Sequence, residues 1–567
     1  MKTPILGQSY VVRSLNAAAA HMVNLYPEAL IEGKEAAYLQ RCPGLRRVVT
    51  VGTGPIRGLW SFGGYLYAVS GIELYKINSS YSASLIGTVF GTGPVSMSDN
   101  GAVLFVACNG PSFTYNSLSG DFRQISSQDF PGAQSVGYLD GYFVFNEPNS
   151  QRIYVVQSVT TTGYIYPLVF DALDFASAEG SPDGVVSLIV DHREVWVFGT
   201  NSVEVWYDSG APDFPLQRIQ GAFNELGCVA PYSVAKLDNT VFWLGADARG
   251  QGIVYRANGY NGQRVSTHAV EFAIQGYGNI SDAIAYTYQQ DGHSFYVLTF
   301  PSANKTWVYD AATQAWHERA GWSNGQFTRH RSNCQAAFNS EVLVGDYENG
   351  KIYAYDLDVY ADDEQTQKWL RSWRALPPGQ NNLKRTAHHA LQLDAETGVG
   401  NSGYSYFDTA LLLAQNGNFL TTQTGGGVTP GPPWSVLTST GAPYTVTDTV
   451  LDSAGAAYSV SPFVRSSANP GYLPAQSTQG QYIQVSLPTV PAAAPQVMLR
   501  WSDDGGHTWS NEHWRQMGRI GEYGYRTIWR RLGMTVKLRD RVYEVSGTDP
   551  VKIAILGAEL QISPTDA

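Results

Sequence analysis

The chain of 567 residues carries 37 Lys and Arg against 48 Asp and Glu, a net charge of −11, and charged residues make up only 15% of it. That acidity argues against nucleic acid as an attractive ligand of the whole protein, and charge so sparse leaves a neutral polar surface suited to burial against neighbours. No stretch comes near the roughly 18 apolar residues that span a membrane, and the first ten residues lack the apolar core of a secretion signal.

Residues 1–50 read as an N-terminal arm. The alanine-rich stretch Asn16–Met22 predicts a short helix, followed by Asn24-Leu25-Tyr26-Pro27-Glu28 and Arg41-Cys42-Pro43-Gly44. Such an arm either supplies a strand that closes the neighbouring domain or reaches to another molecule, and the sequence leaves both open. The four cysteines, Cys42, Cys108, Cys228 and Cys334, stand far apart without a C-x-x-C pair. They read as buried free thiols of a protein made in a reducing cytoplasm, and a metal site built from them has no support.

From Gly52 the chain repeats itself. Gly52-Thr53-Gly54-Pro55, a turn at Gly63-Gly64 and the strand Tyr65–Val69 return as Gly91-Thr92-Gly93-Pro94, a turn at Asp99-Asn100-Gly101 and the strand Val103–Ala107. Turn and strand recur at Gly141, His192, Asn239, Gly292 and Ser340, at spacings of 37 to 53 residues. Each strand is answered by another rich in aromatic residues, marked by Tyr75, Tyr115, Tyr154, Trp206, Tyr255, Trp307 and Tyr353. Asp-Gly or Asn-Gly between alternating apolar runs signals a hairpin, and one hairpin cannot bury its own apolar face. The class is therefore all-β: a β-propeller of about seven blades over residues 51–360, with six blades as the alternative. The tip Asp191-His192-Arg193-Glu194, His293 after Asp291-Gly292, and His388-His389 beyond the propeller are expected to be solvated. Adjacent strand histidines face opposite ways and make poor joint ligands.

Beyond Asp356 the texture changes to Asp362-Asp363-Glu364, Lys368–Arg374 and Pro377-Pro378-Gly379, a domain boundary. Residues 361–400 and 495–567 form a split C-terminal β domain, interrupted by 401–494. That interruption holds four charges, Asp408, Asp448, Asp452 and Arg465, and runs such as Tyr444–Thr447 and Tyr482–Val485 that alternate as strands do. An inserted β-module is expected there, projecting from the surface, with the strands at its two ends, Leu391–Leu393 and Val497–Trp501, pairing with each other.

The run Ser502-Asp503-Asp504-Gly505-Gly506-His507-Thr508-Trp509 matches the Asp-box pattern S-x-D-x-G-x-T-W. In that pattern Ser502, Asp504, Gly506, Thr508 and Trp509 build a hairpin turn, with the carboxylate on turn amides, glycine left-handed and tryptophan beneath. Sialidases, which are propellers, carry the box away from their catalytic centre and usually in several copies. Here one copy lies outside the repeats, and no arginine triad with a Tyr–Glu nucleophile pair accompanies it. A structural hairpin is the reading, with no catalytic residues, cofactor or metal expected. Between Arg515 and Lys552 stand nine basic residues against four acidic ones. Arg515, Arg519, Arg526, Arg530, Arg531, Arg539 and Arg541 form either a solvated strand face or a basic patch that docks an acidic neighbouring subunit.

Several stretches together resemble one family. They are Met1–Tyr10 with Asn24–Glu28, Glu179–Trp206, Asn239–Tyr260, Ser372–Lys384, and Arg500–Trp509 with Gly521–Leu532. The chain is similar to the packaged-DNA stabilisation proteins of short-tailed bacteriophages, also called tail hub or nozzle proteins, over about 1–400 and 495–562, and departs from them at 401–494. The resemblance implies a structural protein of the virion tail, made in the host cytoplasm and without enzymatic activity. It further implies a ring of six copies under the portal and its adaptor, extending the DNA channel and retaining the packaged genome. Tailspikes or fibres would attach outside, a needle or plug at the tip, and double-stranded DNA would pass the lumen without specific recognition. An acidic wall would repel the phosphate backbone rather than trap it. A propeller glycosidase of sialidase type, or a free-standing carbohydrate-binding propeller, is the alternative.

Overall fold

The computed structural model describes residues 1–398 and 494–564 apart from 12, 14–18, 31, 33–34, 158–167, 179, 181–182, 213, 248–249, 377–384 and 536–540, together with the backbone of seven short strands between 421 and 486. The chain forms two compact units. The first joins Met1–Glu396, Gln496–Arg515 and Thr527–Ala567; the second joins Thr397–Pro495 and Gln516–Arg526.

Within the first unit, seven antiparallel sheets follow one another from Ile56 to Asp356. Blade one is Ile56–Phe62, Tyr65–Ser70, Glu73–Ile77 and Ala83–Thr88. Blades two, three and four begin at Ser96, Val136 and Val185, and blades five, six and seven at Gly227, Ile284 and Ser332. The aromatic markers from Tyr75 to Tyr353 all fall in the third strand of their blade. Six of the seven first turns place two successive residues at positive φ: Gly63-Gly64, Asp140-Gly141, His192-Arg193, Asp238-Asn239, Asp291-Gly292 and Asn339-Ser340. A left-handed pair is the two-residue turn whose twist matches the flanking strands, and glycine, aspartate and asparagine enter it most readily. Sequence spacing, turn chemistry and hairpin geometry thus agree blade by blade.

Both faces of every blade are apolar because alternate residues leave a strand on opposite sides. In blade two, Leu104 and Val106 pack with Tyr67 and Val69 of blade one, while Phe105 and Ala107 pack with Phe143 and Phe145 of blade three. Five further clusters of this kind fill the remaining seams, and the last joins Ile56, Leu59 and Leu66 of blade one to Leu343 and Ile352 of blade seven. The ring is closed by the arm. Gly44–Thr50 pairs antiparallel with Lys351–Asp356 as the outer strand of blade seven, so the propeller takes in the end of the segment expected to precede it.

The arm holds no helix among its described residues. Ala19–Ala20 pairs with Tyr10–Val11, and Met22–Val23 lies between blade six and the C-terminal domain. The expected helix at 16–22 is thus corrected over 19–22, since two strands there gain sheet partners that a short helix could not offer, while 16–18 lie outside the described residues. Val23 is parallel to Glu318 on one side and antiparallel to Leu370 on the other. Those two residues splice blade six to a sheet of the C-terminal domain and make a continuous nine-stranded sheet.

The C-terminal domain is a sandwich. One sheet runs Met22–Val23, Trp369–Arg374, Val542–Gly547, Gln496–Ser502 and His513–Gln516; the other runs Leu25–Ala29, Ala37–Arg41, Ala554–Pro564, Thr386–Ala395 and Thr527–Met534. Trp369, Trp373, Leu391, Leu499, Trp529, Val545 and Ile555 are buried in it. The strands flanking the insertion do not pair, contrary to expectation. Thr386–Ala395 pairs with Thr527–Met534 and Ala554–Pro564, and Gln496–Ser502 pairs with Val542–Gly547. Leu391 and Leu393 on one strand and Val497 and Leu499 on the other each present a face to be buried, and opposite sheets cover both faces at once. The insertion therefore leaves from one sheet and returns to the other. Within it, Tyr482–Ser486 is a strand paired with Tyr472–Gln476, whereas Tyr444–Thr447 lies outside the described residues.

Asn24 sits at the splice. It is buried at φ +54°, and its amide donates to the carbonyls of Ala320 and Lys368, both at 2.8 Å, while its oxygen accepts from Ala320 N at 2.9 Å. Asn24→Ala is expected to lower stability by about 3 kcal/mol, through buried groups left unpaired and a left-handed backbone that alanine resists. Asn24→Gly, which relieves the backbone only, should lose less. Urea unfolding followed by tryptophan fluorescence separates the two; equal losses would mean that the left-handed backbone contributes nothing, and no loss in Asn24→Gly that the side-chain bonds contribute nothing.

Candidate functional site

Three features of the first unit could carry function: the axial channel with its rim, the joint between arm, blade six and sandwich, and the Asp-box turn with the basic residues beyond it. Residues from all seven blades, mostly in or beside their first strands, line the channel, a cavity of about 610 Å³ that includes Arg57, Met97, Tyr138, Leu188, Tyr232 and Gln335. Arg57 is its single arginine, and that side chain is spent on the carbonyls of Gly93 and Gly71 at 2.6 and 3.0 Å. At the rim, polar groups cross five of the seven seams between blades. Trp60 donates to Asp99 at 2.8 Å, Arg193 to Asp140 at 2.9 Å, Tyr260 to Glu194 at 2.7 Å and Ser294 to Asp238 at 2.7 Å. Tyr81 of blade one bonds Glu341 of blade seven across the closing seam. His192 is exposed at its tip, beside Asp191.

At the joint, buried cations meet carbonyls rather than carboxylates. Arg371 donates to the carbonyls of Ile5 and Gln8 at 2.7 and 3.3 Å. Arg41 donates to the carbonyls of Tyr360, Gln367, Asp549 and Val551 at 2.5–3.0 Å. Burial lowers both guanidinium pKa values to about 10, which leaves them charged at neutral pH. Arg319 is buried over the faces of Tyr288, Phe295 and Tyr355 at 5.0–5.4 Å, a cation–π arrangement.

His293 is buried, not solvated as expected for a tip residue. The arm folds over blade six, so that Glu28 reaches Nε2 at 2.5 Å while Asp310 reaches Nδ1 at 2.8 Å. Burial alone would push this imidazole down, but the two carboxylates raise it to about 9. His21 of the arm is held likewise at 2.5 Å by Glu318 of blade six, and its pKa is also raised. His388 is buried too, against expectation, because it faces into the sandwich and bonds Tyr543 at 2.7 Å. Burial, with Arg541 nearby, takes it down to about 3. His389 points to the exposed face and meets Ser563. Among the described residues no group of three or more His, Cys, Asp or Glu is placed to hold a metal ion.

The Asp-box residues form one turn. Asp504 accepts from the Ser502 hydroxyl at 2.6 Å, from the Thr508 hydroxyl at 2.6 Å, and from the amides of His507 and Thr508 at 2.8–3.0 Å. These bonds hold its carboxyl far below the usual carboxylate range. Gly506 has φ +108°, and Trp509 lies 4.7 Å from the Arg500 guanidinium. Beside this turn a cleft of about 430 Å³ is lined by Phe272, Tyr277, Trp307, Arg500 and Trp509 among others. Among its described lining residues Arg500 is the one arginine, and it is paired with Glu544 at 2.5 Å.

The basic residues separate into distinct roles. Arg541 does not lie on a surface patch: it is buried, clamps Asp503 with two bonds of 2.6 and 2.8 Å, and donates to Leu532 O at 2.8 Å. It fixes the Asp-box turn to the sandwich, a role with no local sequence signal because its partner lies 38 residues away. Arg515, Arg530 and Arg531 are exposed in the first unit, Arg519 and Arg526 are exposed in the second, and Arg539 lies outside the described residues.

Comparison with known proteins gives two family matches. A model described as bacteriophage P22 Gp10, beta-propeller, matches residues 1–360, and one described as bacteriophage P22 Gp10, beta-sandwich, matches residues 475–563. No curated protein matches the chain. Among solved structures, a chain of a mitotic checkpoint complex is 14% identical with a TM-score of 0.36, over 55% of this chain and 94% of that one. A chain from the S. cerevisiae Dbp5 assembly with Nup159, Gle1, IP6 and ADP is 10% identical with a TM-score of 0.35, over 59% and 99%. The Myceliophthora thermophila Cps50 (Swd1) β-propeller domain is 8% identical with a TM-score of 0.36, over 55% and 98%.

Two testable outcomes come from these charges. The raised pKa of His293 stabilises the fold fully below about pH 6.5 and is lost as pH rises toward 9, a fall of about 2–3 kcal/mol between those limits. Denaturant melts at stepped pH should show that slope in the wild type and a flatter one in His293→Gln. Asp504→Ala should cost about 1–3 kcal/mol through lost hydrogen bonds in the turn; an unchanged midpoint for sandwich unfolding would contradict the role given to the turn.

Proposed function

The chain belongs to the bacteriophage P22 Gp10 family of phage tail structural proteins, and from that premise we propose that it forms a ring of six copies beneath the portal and adaptor of a short-tailed phage. In this reading the ring extends the DNA channel, helps retain the packaged genome, anchors tailspikes or fibres on its outside and holds a needle or plug at its tip. The observation that carries it is the match of both halves of the chain, propeller and sandwich, to one family.

Physical features support the reading. The axial channel, about 610 Å³, is lined by side chains of all seven blades, and in this reading DNA passes between copies and not through a propeller. A net charge of −11 suits a wall along which phosphates slide without sticking. Ties at the blade seams and a spliced sheet give a stiff body, as a part of a pressurised conduit needs. The segment 401–494, poor in charge, is proposed to contact a neighbouring subunit, a tailspike or the plug.

Cryo-electron microscopy of the particle tests this. Six copies surrounding a DNA path below the portal are expected, with tailspike or plug density against the inserted segment. Particles assembled without the chain should lose their genome on incubation. A single copy per tail, or stable DNA retention without the chain, would overturn the ring reading, and turnover of sialosides by the purified chain would overturn the non-enzymatic one.

A further inference from the structure

We propose that the sandwich edge formed by His513–Gln516 and Thr527–Met534 docks the turn-bearing rim of the propeller in a second copy of this chain, an inference that rests on the ring assembly proposed above. Each of these strands is the last of its sheet, so each presents an edge. The two edges lie side by side: Trp529 Nε1 donates to His513 O at 2.7 Å, and Arg515 Nε donates to Ile528 O at 3.2 Å. An open edge invites pairing with another chain unless it is blunted, and here it is blunted. A bulge interrupts the pairing of Thr527–Met534 with Thr386–Ala395, and Arg531 stands at φ +61°, so Arg530 and Arg531 are both exposed although adjacent.

The surface that results is specific in its chemistry. Arg515, Arg530 and Arg531 have no carboxylate in ion-pair range among the described residues. Trp514 and Met534 flank them, 48% and 49% exposed. Arginine, tryptophan and methionine are the residues enriched at protein interfaces, and the guanidinium fork fits a carboxylate in two bonds. Trp514 and Met534 among the cations favour a protein over a phosphate backbone. The chain carries its own acidic counterpart. Asp140, Asp238 and Asp291 are exposed at the first turns of blades three, five and six. Asp140 is met by Arg193 and Asp238 by Ser294 across the seams, yet with Asp99, Asp191, Glu194 and Glu341 the rim holds more carboxylates than the cations Arg193, Lys236 and Arg46 beside them. Basic edge and acidic rim are different surfaces of one molecule, so their contact is heterologous and propagates from copy to copy until a ring closes.

The test uses the full chain carrying Arg515→Glu, Arg530→Glu and Arg531→Glu, with Arg→Gln at the same positions as the milder variant should the first fail to fold. Sedimentation velocity at 50 and 500 mM salt is expected to show wild-type assembly that weakens with salt, and a variant at least tenfold weaker in self-association with an unchanged melting temperature. Cross-links between isotopically distinct copies should join 513–534 to the blade turns. A folded variant that assembles as the wild type does, or cross-links that avoid this edge, would overturn the docking surface and leave the ring reading standing. A wild-type chain that stays monomeric at every concentration would overturn the ring reading itself. Binding of a 30-base-pair duplex that the variant loses while it still assembles would assign the edge to DNA and overturn the proposal.

Discussion

A ring of sheets in which every blade is apolar on both faces has to close, because an open ring leaves two such faces in water. Here closure depends on the pairing of Gly44–Thr50 with Lys351–Asp356, and blades seven and one then bury Ile56, Leu59, Leu343 and Ile352 between them. Strand and seam support each other, since the closing strand has no covered face without the seam. The seam between blades six and seven likewise includes Tyr26, Cys42 and Leu45 from the N-terminal segment. The first fifty residues are in this sense the bolt of the propeller.

The same segment carries the sandwich. Met22–Val23 is a sheet strand to both blade six and Trp369–Arg374, while Leu25–Ala29 and Ala37–Arg41 enter the opposite sheet. The joint is fixed by direction more than by apolar area. Arg371 and Arg41 are surrounded by carbonyl oxygens whose positions each guanidinium must match, and burying such a cation is tolerable only when that match is complete. His21 and His293 add charge-assisted contacts from the arm to blade six. In this member of a phage tail structural family, propeller and sandwich are thus joined through a common sheet.

Charge is distributed to match this role. Inside, Arg41 and Arg371 meet carbonyl dipoles, Arg319 aromatic faces, and Arg541 and His293 carboxylates; at the rim, some carboxylates bond across the seams between blades; at one sandwich edge, arginines face outward. Among the described residues, the axial channel and the cleft beside the Asp-box turn are each lined by one arginine.

The sequence by itself determined the blades. A hairpin needs only its turn pair and alternating strands, and those are local, so the tips from Gly64 to Ser340 and the aromatic third strands could be counted directly. It also determined the Asp-box turn, in which Asp504 accepts bonds from Ser502, His507 and Thr508, all within a few residues. What tertiary structure decided was everything whose partner is distant in the chain. Gly44–Thr50 becomes a strand of blade seven only because Lys351–Asp356 offers an edge, and Met22 leaves the helix its alanine neighbours favour for a sheet partner at Arg371. His293 and His388 look like solvated residues until Glu28 and Tyr543 arrive from elsewhere. Arg541 is basic in composition but internal in space, since Asp503 draws it under the turn. Composition fixes how much charge a segment holds; only the folded chain decides which of that charge is given to water.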